Sequence, residues 1–148
     1  MSNIWTEEWQ DGHDWSGGGG NSKGLVPHEG QRIGASLYEL GPGNFNVLHF
    51  HHGAEELLIV LRGRPTLRTH EGERVLAEGE VVHFPAGPDG THGVRNDTEE
   101  PVRYIVAGIR TTPEAVEYPE LQKITAFART GSQTGERLWL IHDLDTPA

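Results

Sequence analysis

Between Arg32 and Arg110 the chain holds no stretch with an apolar 3.6-residue period of helical length. Short β-rich runs alternate there with turn signals. The runs are Ile33–Leu40, Phe45–His51, Glu56–Leu61, Pro65–His70, Arg74–Ala77, Val81–Phe84, His92–Arg95 and Val102–Ile109. Glycine and proline punctuate them, as in Gly41-Pro42-Gly43-Asn44 and Gly87-Pro88-Asp89-Gly90. Strands this short, at a spacing of roughly 8–12 residues, predict an all-β sandwich or barrel. Glu71-Gly72-Glu73 suits a short hairpin loop with glycine at positive φ. The run ELLIVL from Glu56 to Leu61 is apolar on both faces. It predicts a strand covered on both sides, at the centre of a sandwich or beneath a partner subunit.

The flanks read differently. Residues 1–31 form an N-terminal arm with three of the four tryptophans, Trp5, Trp9 and Trp15, and the run Gly17–Gly20. Four glycines in a row are costly to order, so residues 16–24 are expected to be a flexible connector. Trp5 and Trp9 stand four apart and could share a helical face. They are expected to dock on a sheet face. Residues 32–110 form the barrel, and residues 111–148 a C-terminal extension packed on it. Within that extension Thr112-Pro113-Glu114 predicts a short helix, capped by Thr112. Arg137–Ile141 predicts one more strand.

Composition narrows the function classes. A chain of 148 residues suits one domain with a core. Its 22 acids against 12 bases give a net charge of −10, which opposes nucleic-acid and anionic-membrane partners. No apolar run approaches the roughly 20 residues that span a bilayer. The first residues are acidic where a signal peptide would be basic and then apolar, so a cytoplasmic location is expected. With no cysteine, disulfides, thiolate metal sites and thiol nucleophiles are excluded.

The chemistry gathers around His49 and His51. Residues i and i+2 of a strand share a face, so both imidazoles point one way and His52 the other. Glu56 opens the next strand, after a turn at Gly53-Ala54, and can return to the same space. Two imidazoles and a carboxylate with open positions are a common ligand set of a non-haem metal site. His92, following a tight turn, is the candidate for a third imidazole. An H-x-H pair also arises by chance in a chain with nine histidines, so spacing alone leaves both readings open.

Two ordered segments add to this. Gly43, His49-Phe50-His51, Glu56 and Gly63 fall at the positions of the first motif of the cupin superfamily. Gly79, Pro85-Ala86-Gly87, His92 and Asn96 fall at those of the second, with four residues between Gly87 and His92 where two are usual. The chain thus resembles the small single-domain cupins of bacteria over residues 43–96. The resemblance implies a double-stranded β-helix (jelly-roll) barrel with one divalent metal ion in its mouth, held by His49, His51, Glu56 and His92. It leaves the ion's identity open among Fe, Zn, Ni and Mn. Asn96 is expected to be structural or pocket-lining and not a ligand. Glycines 43, 63, 79 and 87 are expected where turns need positive φ or close approach. Glu55 and His52 point away from the site, and His83 is expected to be packed or hydrogen-bonded. His13, His28, His70 and His142 are expected on the surface.

A metal-dependent enzyme is therefore expected, of the dioxygenase-like, lyase or isomerase type, acting on a small polar molecule. The alternative is a small-molecule binding or sensing protein whose metal only anchors its ligand. The doubly apolar ELLIVL run and the tryptophan-rich arm both predict a homodimer.

Overall fold

A computed structural model of the chain describes residues 3–6, 8, 9, 11–15, 18–26, 32–129 and 137–144. The expected surface position of His28 lies outside these residues, and that of the His13 side chain lies outside what is described. Thirteen strands are found among them: β1 (Asp11–Trp15), β2 (Gly18–Gly24), β3 (Ile33–Leu40), β4 (Phe50–His51), β5 (Glu56–Arg62), β6 (Thr66–Thr69), β7 (Gly72–Val75), β8 (Val81–Phe84), β9 (His92–Arg95), β10 (Val102–Ile109), β11 (Glu114–Tyr118), β12 (Lys123–Arg129) and β13 (Arg137–Asp143). No helix among the described residues is long and apolar enough to cross a membrane.

The strands form an all-β jelly roll. A six-stranded sheet runs in the order β1-β2-β3-β10-β5-β8. Facing it are two smaller sheets, β7-β6-β9 and β13-β12-β11-β4. Isolated bridges from Phe45 to Arg95 and from His49 to His92 tie the segment before β4 to β9. All strand pairs are antiparallel, as hairpin-connected runs with one face on a core require. The core fills the space between the layers. Leu40, Leu58, Val60, Val102 and Tyr104 come from the large sheet and meet Leu67 and Val94 from β6 and β9. Each of these seven is at most 2% exposed.

Turn chemistry follows the glycines. Gly43, Gly63, Gly79 and Gly87 all take positive φ, between 75° and 87°, where a side chain would be strained. Gly63 is also a close approach, since a Cβ there would lie 2.9 Å from Cγ1 of Val102.

Several expectations are corrected. The connector expected at residues 16–24 is a strand from Gly18 onward, because β2 finds β1 on one side and β3 on the other. Backbone pairing on both edges offsets the entropy of ordering glycine. Trp5 and Trp9 share no helix: residues 4–6 form a turn and residue 9 has no regular structure. The helix expected at Thr112 is absent among the described residues. Extended chain starts at Glu114 instead, where Glu114 and Val116 are buried in a period of two. Of the run Phe45–His51, only Phe50–His51 is regular strand. The run at Lys123–Arg129 was not anticipated. Leu57, on the outer face of β5, is 41% exposed, so the described residues do not cover that face of ELLIVL, and its cover by a partner subunit stays an expectation.

Candidate metal centre

The sheet geometry carries the imidazoles inward. His49 N–H and C=O both bond to His92, at 2.9 Å each, so the two residues sit opposite one another across the layer. His51 follows two residues on, at the end of β4. Glu56 enters from the large sheet at the start of β5, beside Gly108 of β10. A Cβ on Gly108 would lie 2.9 Å from Cγ of Glu56, so that glycine makes room for the carboxylate. The longer loop before His92 is taken up by a 3-10 turn at Pro88–Gly90.

The donor atoms converge. One ligand atom each from His49, His51 and Glu56 lies within 4.8 Å of the others, a group that could hold a metal ion. His92 stands at its border: its Nε2 is 3.5 Å from Oε2 of Glu56, the same distance as Nε2 of His51. Its ring centre is 4.6 Å from that of His49 and lies 3.7 Å from Phe84 in parallel stacking.

Backbone carbonyls set the tautomers. Nδ1 of His49 meets the Val47 carbonyl at 2.8 Å, and Nδ1 of His92 meets the Gly90 carbonyl at 2.9 Å. A carbonyl can only accept, so each Nδ1 carries the proton and each Nε2 keeps its lone pair. Burial lowers the pKa of both rings and favours the neutral form a ligand needs. Burial, then the nearby His49, lowers His51 to about 4. Glu56 moves the other way, up to about 7, through burial and then the neighbouring Glu114 carboxylate. Neutral nitrogen donors with one carboxylate fit a divalent cation.

Glu114 was missed by sequence reasoning. Its side chain is 2% exposed, and its Oε1 lies 3.9 Å from Nδ1 of His51. That oxygen accepts the Gly53 N–H at 3.1 Å and the Ala115 N–H at 3.2 Å. Oε2 of Glu114, Nδ1 of His51 and Oγ1 of Thr111 are buried without a hydrogen-bond partner. The detectable signal was parity: Glu114 shares the inner face of its strand with Val116.

The residues expected to point away do so. Glu55 and His83 pair with each other at 3.1 Å, both more than half exposed. His52 faces Glu117 at 3.1 Å. His70 and His142 are exposed. Asn96 is fully buried and structural: its amide donates to the carbonyls of Leu40 and Glu100, each at 2.9 Å.

All four expected ligands line one cavity of about 660 Å³, with Glu114, Tyr38 and Tyr118. Its walls include Val47, Val94, Val106 and Val116. Burial raises the pKa of Tyr38 and of Tyr118, so both hydroxyls stay protonated.

Facing antiparallel sheets around a mouth of imidazoles and a carboxylate define a β-barrel protein with a metal-type site. Residues 36–108 match the family model of the cupin domain, and the chain belongs to the cupin superfamily. It is similar to a solved structure from Acidithiobacillus ferrooxidans with the provisional designation of sugar phosphate isomerase. Identity is 29%, with 84% of this chain and 76% of that chain covered and a TM-score of 0.70. A sugar phosphate isomerase of the cupin superfamily from Silicibacter pomeroyi is 25% identical, with 86% and 80% covered and a TM-score of 0.73. A predicted oxalate decarboxylase from Thermotoga maritima shares the fold at 18% identity, with 74% and 100% covered and a TM-score of 0.65. No protein of curated function matches the chain.

Proposed function

We propose that the protein is a metal-dependent isomerase acting on a small polyhydroxylated carbonyl compound. One observation carries this reading: three neutral imidazoles and a carboxylate meet on the wall of a cavity of about 660 Å³. Two relatives that span most of both chains are called sugar phosphate isomerases, which supports the reaction class.

His49, His51, Glu56 and His92 would hold one divalent ion, its identity open among Fe, Zn, Ni and Mn. A bound divalent metal supplies Lewis acidity to the oxygens of an α-hydroxycarbonyl group, making the carbon–hydrogen bond between them more acidic. The chain's own residues set the conditions. The imidazoles add no charge and Glu56 adds one negative, so a net charge of about +1 remains to attract oxygen donors. The valine walls lower the local dielectric beside the donors, which strengthens polar contacts there. Tyr38 and Tyr118 offer protonated hydroxyls to substrate oxygens.

The test is a panel of aldose and ketose phosphates in deuterated water with protein loaded in turn with each metal. The proposal expects interconversion, or deuterium entry beside the carbonyl, and its loss in His51→Ala. No exchange with any metal on any member of the panel would refute it and leave the protein as a binding cupin.

A further inference from the structure

The cavity has a second pole. β3 and β10 run antiparallel with Ser36 opposite Val106 and Gly34 opposite Gly108. Alternate residues of a strand share a face, and this row faces the cavity. It continues past both strand ends to Arg32 and Arg110, which also line the cavity. The Arg110 N–H donates to the Arg32 carbonyl at 2.7 Å, so the two residues are held side by side. They are the only lysine or arginine residues among the described residues lining this cavity.

The glycine pair shapes both poles. A Cβ on Gly34 would lie 2.9 Å from Nε and 3.3 Å from Cγ of Arg110, so the bare backbone of Gly34 is the bed on which that side chain lies. Nη2 of Arg110 then donates to the Val26 carbonyl at 3.3 Å, fixing it across β3. Gly108, opposite Gly34, makes the equivalent room for Glu56. Glu56 on β5 and the Arg110 side chain over Gly34 of β3 therefore stand on opposite sides of Gly108, two strand spacings or roughly 10 Å apart. One cavity thus has metal-type donors on its β5 side and two arginine residues in its lining at the β3 side.

In a chain of net charge −10, Arg32 and Arg110 are the cations in the described lining of this cavity, which also holds the carboxyl groups of Glu56 and Glu114. A single guanidinium fork matches one carboxylate. Two forks side by side suit a tetrahedral dianion with three terminal oxygens. We infer that Arg32 and Arg110 bind the phosphate of a small phosphate-monoester substrate, holding its carbonyl end toward the His/Glu cluster. The placement of the carbonyl end rests on the proposed isomerase reading; the anion site does not.

The probe is inorganic phosphate, titrated calorimetrically into the full-length protein. Saturable binding is expected, weakened about tenfold or more in Arg110→Met and in Arg32→Gln. Metal content should stay unchanged in both. The exposed Arg32 covers the case in which Arg110→Met disturbs packing over Gly34. His51→Ala, which disables only the metal end, should retain phosphate binding. Phosphate affinity unchanged in both arginine variants would overturn the inference. So would loss of phosphate binding in His51→Ala with retention in the arginine variants, because the anion would then sit on the metal. Phosphate binding that depends on the arginines, in a protein that turns over no sugar phosphate, would uphold the anion site while the isomerase reading fails.

Discussion

Glu56 has to lose a proton before it can bind a cation. In the metal-free protein its carboxyl titrates at about 7, because burial and then Glu114 oppose its charge. The imidazoles run the opposite way: burial lowers all three, so they are already neutral above their ordinary value of 6.5. Metal and proton therefore compete at the carboxylate. Affinity should fall as pH drops below about 7, approaching tenfold per pH unit, with one proton released per ion bound. Calorimetry at pH 6 in buffers of different ionisation enthalpy measures that proton. Glu114→Gln keeps the oxygen that accepts the Gly53 and Ala115 N–H groups but removes the charge that pushes Glu56 up. The fall should then begin at lower pH, and an unmoved midpoint would contradict the assigned cause. The four expected ligand positions were legible because strand parity and motif spacing both act over short stretches of chain. Glu114 was not: parity with Val116 could place it on an inner face, but its position behind His51 depends on the tertiary pairing of β11 with β4.

At the scale of elements, the arm is where pattern reasoning failed. Glycine composition argued for a loose connector, yet β2 becomes an inner strand once β1 and β3 are present to pair with it. Propensity is a local property, and a two-sided ladder overrides it. The arm is fastened by cations more than by buried tryptophan. Arg103, itself 4% exposed, donates to the Ile4 carbonyl at 3.0 Å, and Lys23 donates to the carbonyls of Asn3 and Thr6 at 2.7 Å. Both cations also lie over the Trp9 ring, at 5.2 and 5.5 Å. Trp5 is 61% exposed, so the expected docking of both rings holds for Trp9 alone. Each cation–π contact is worth about 0.5–1 kcal/mol. Trp9→Ala should therefore lower Tm by several degrees, while Trp5→Ala should leave it nearly unchanged. A larger loss from Trp5→Ala in a thermal melt would show the fastening to be misassigned. Neither change should alter metal content, because neither ring lines the cavity and the Trp9 ring lies over Lys23 and Arg103 instead.

For the whole molecule, the open question is what meets its exposed edge. Among the described residues β13 ends its sheet, with Leu138, Trp139, Leu140 and Ile141 between 48% and 62% exposed. Unpaired edges with such side chains pair readily with another chain. The homodimer expected from sequence thus has a surface to form on, and Leu57 on β5 adds a second exposed apolar position. Light scattering at micromolar concentration should give twice the 16.3 kDa chain mass. Leu140→Lys should shift that towards the monomer. A monomer in the unmodified protein would remove the dimer from the account.

The proposed isomerase reading rests on His49, His51, Glu56 and His92 acting as one ligand set, and elemental analysis of the purified protein tests this most directly. The unmodified chain should carry close to one divalent metal ion. Alanine at any of the four should remove most of it, while His52→Ala and Glu55→Ala, whose side chains face away, should not. His92 is the informative position, since it borders the tight group of the other three. Metal content in His92→Ala equal to that of the unmodified protein would contradict the four-ligand centre.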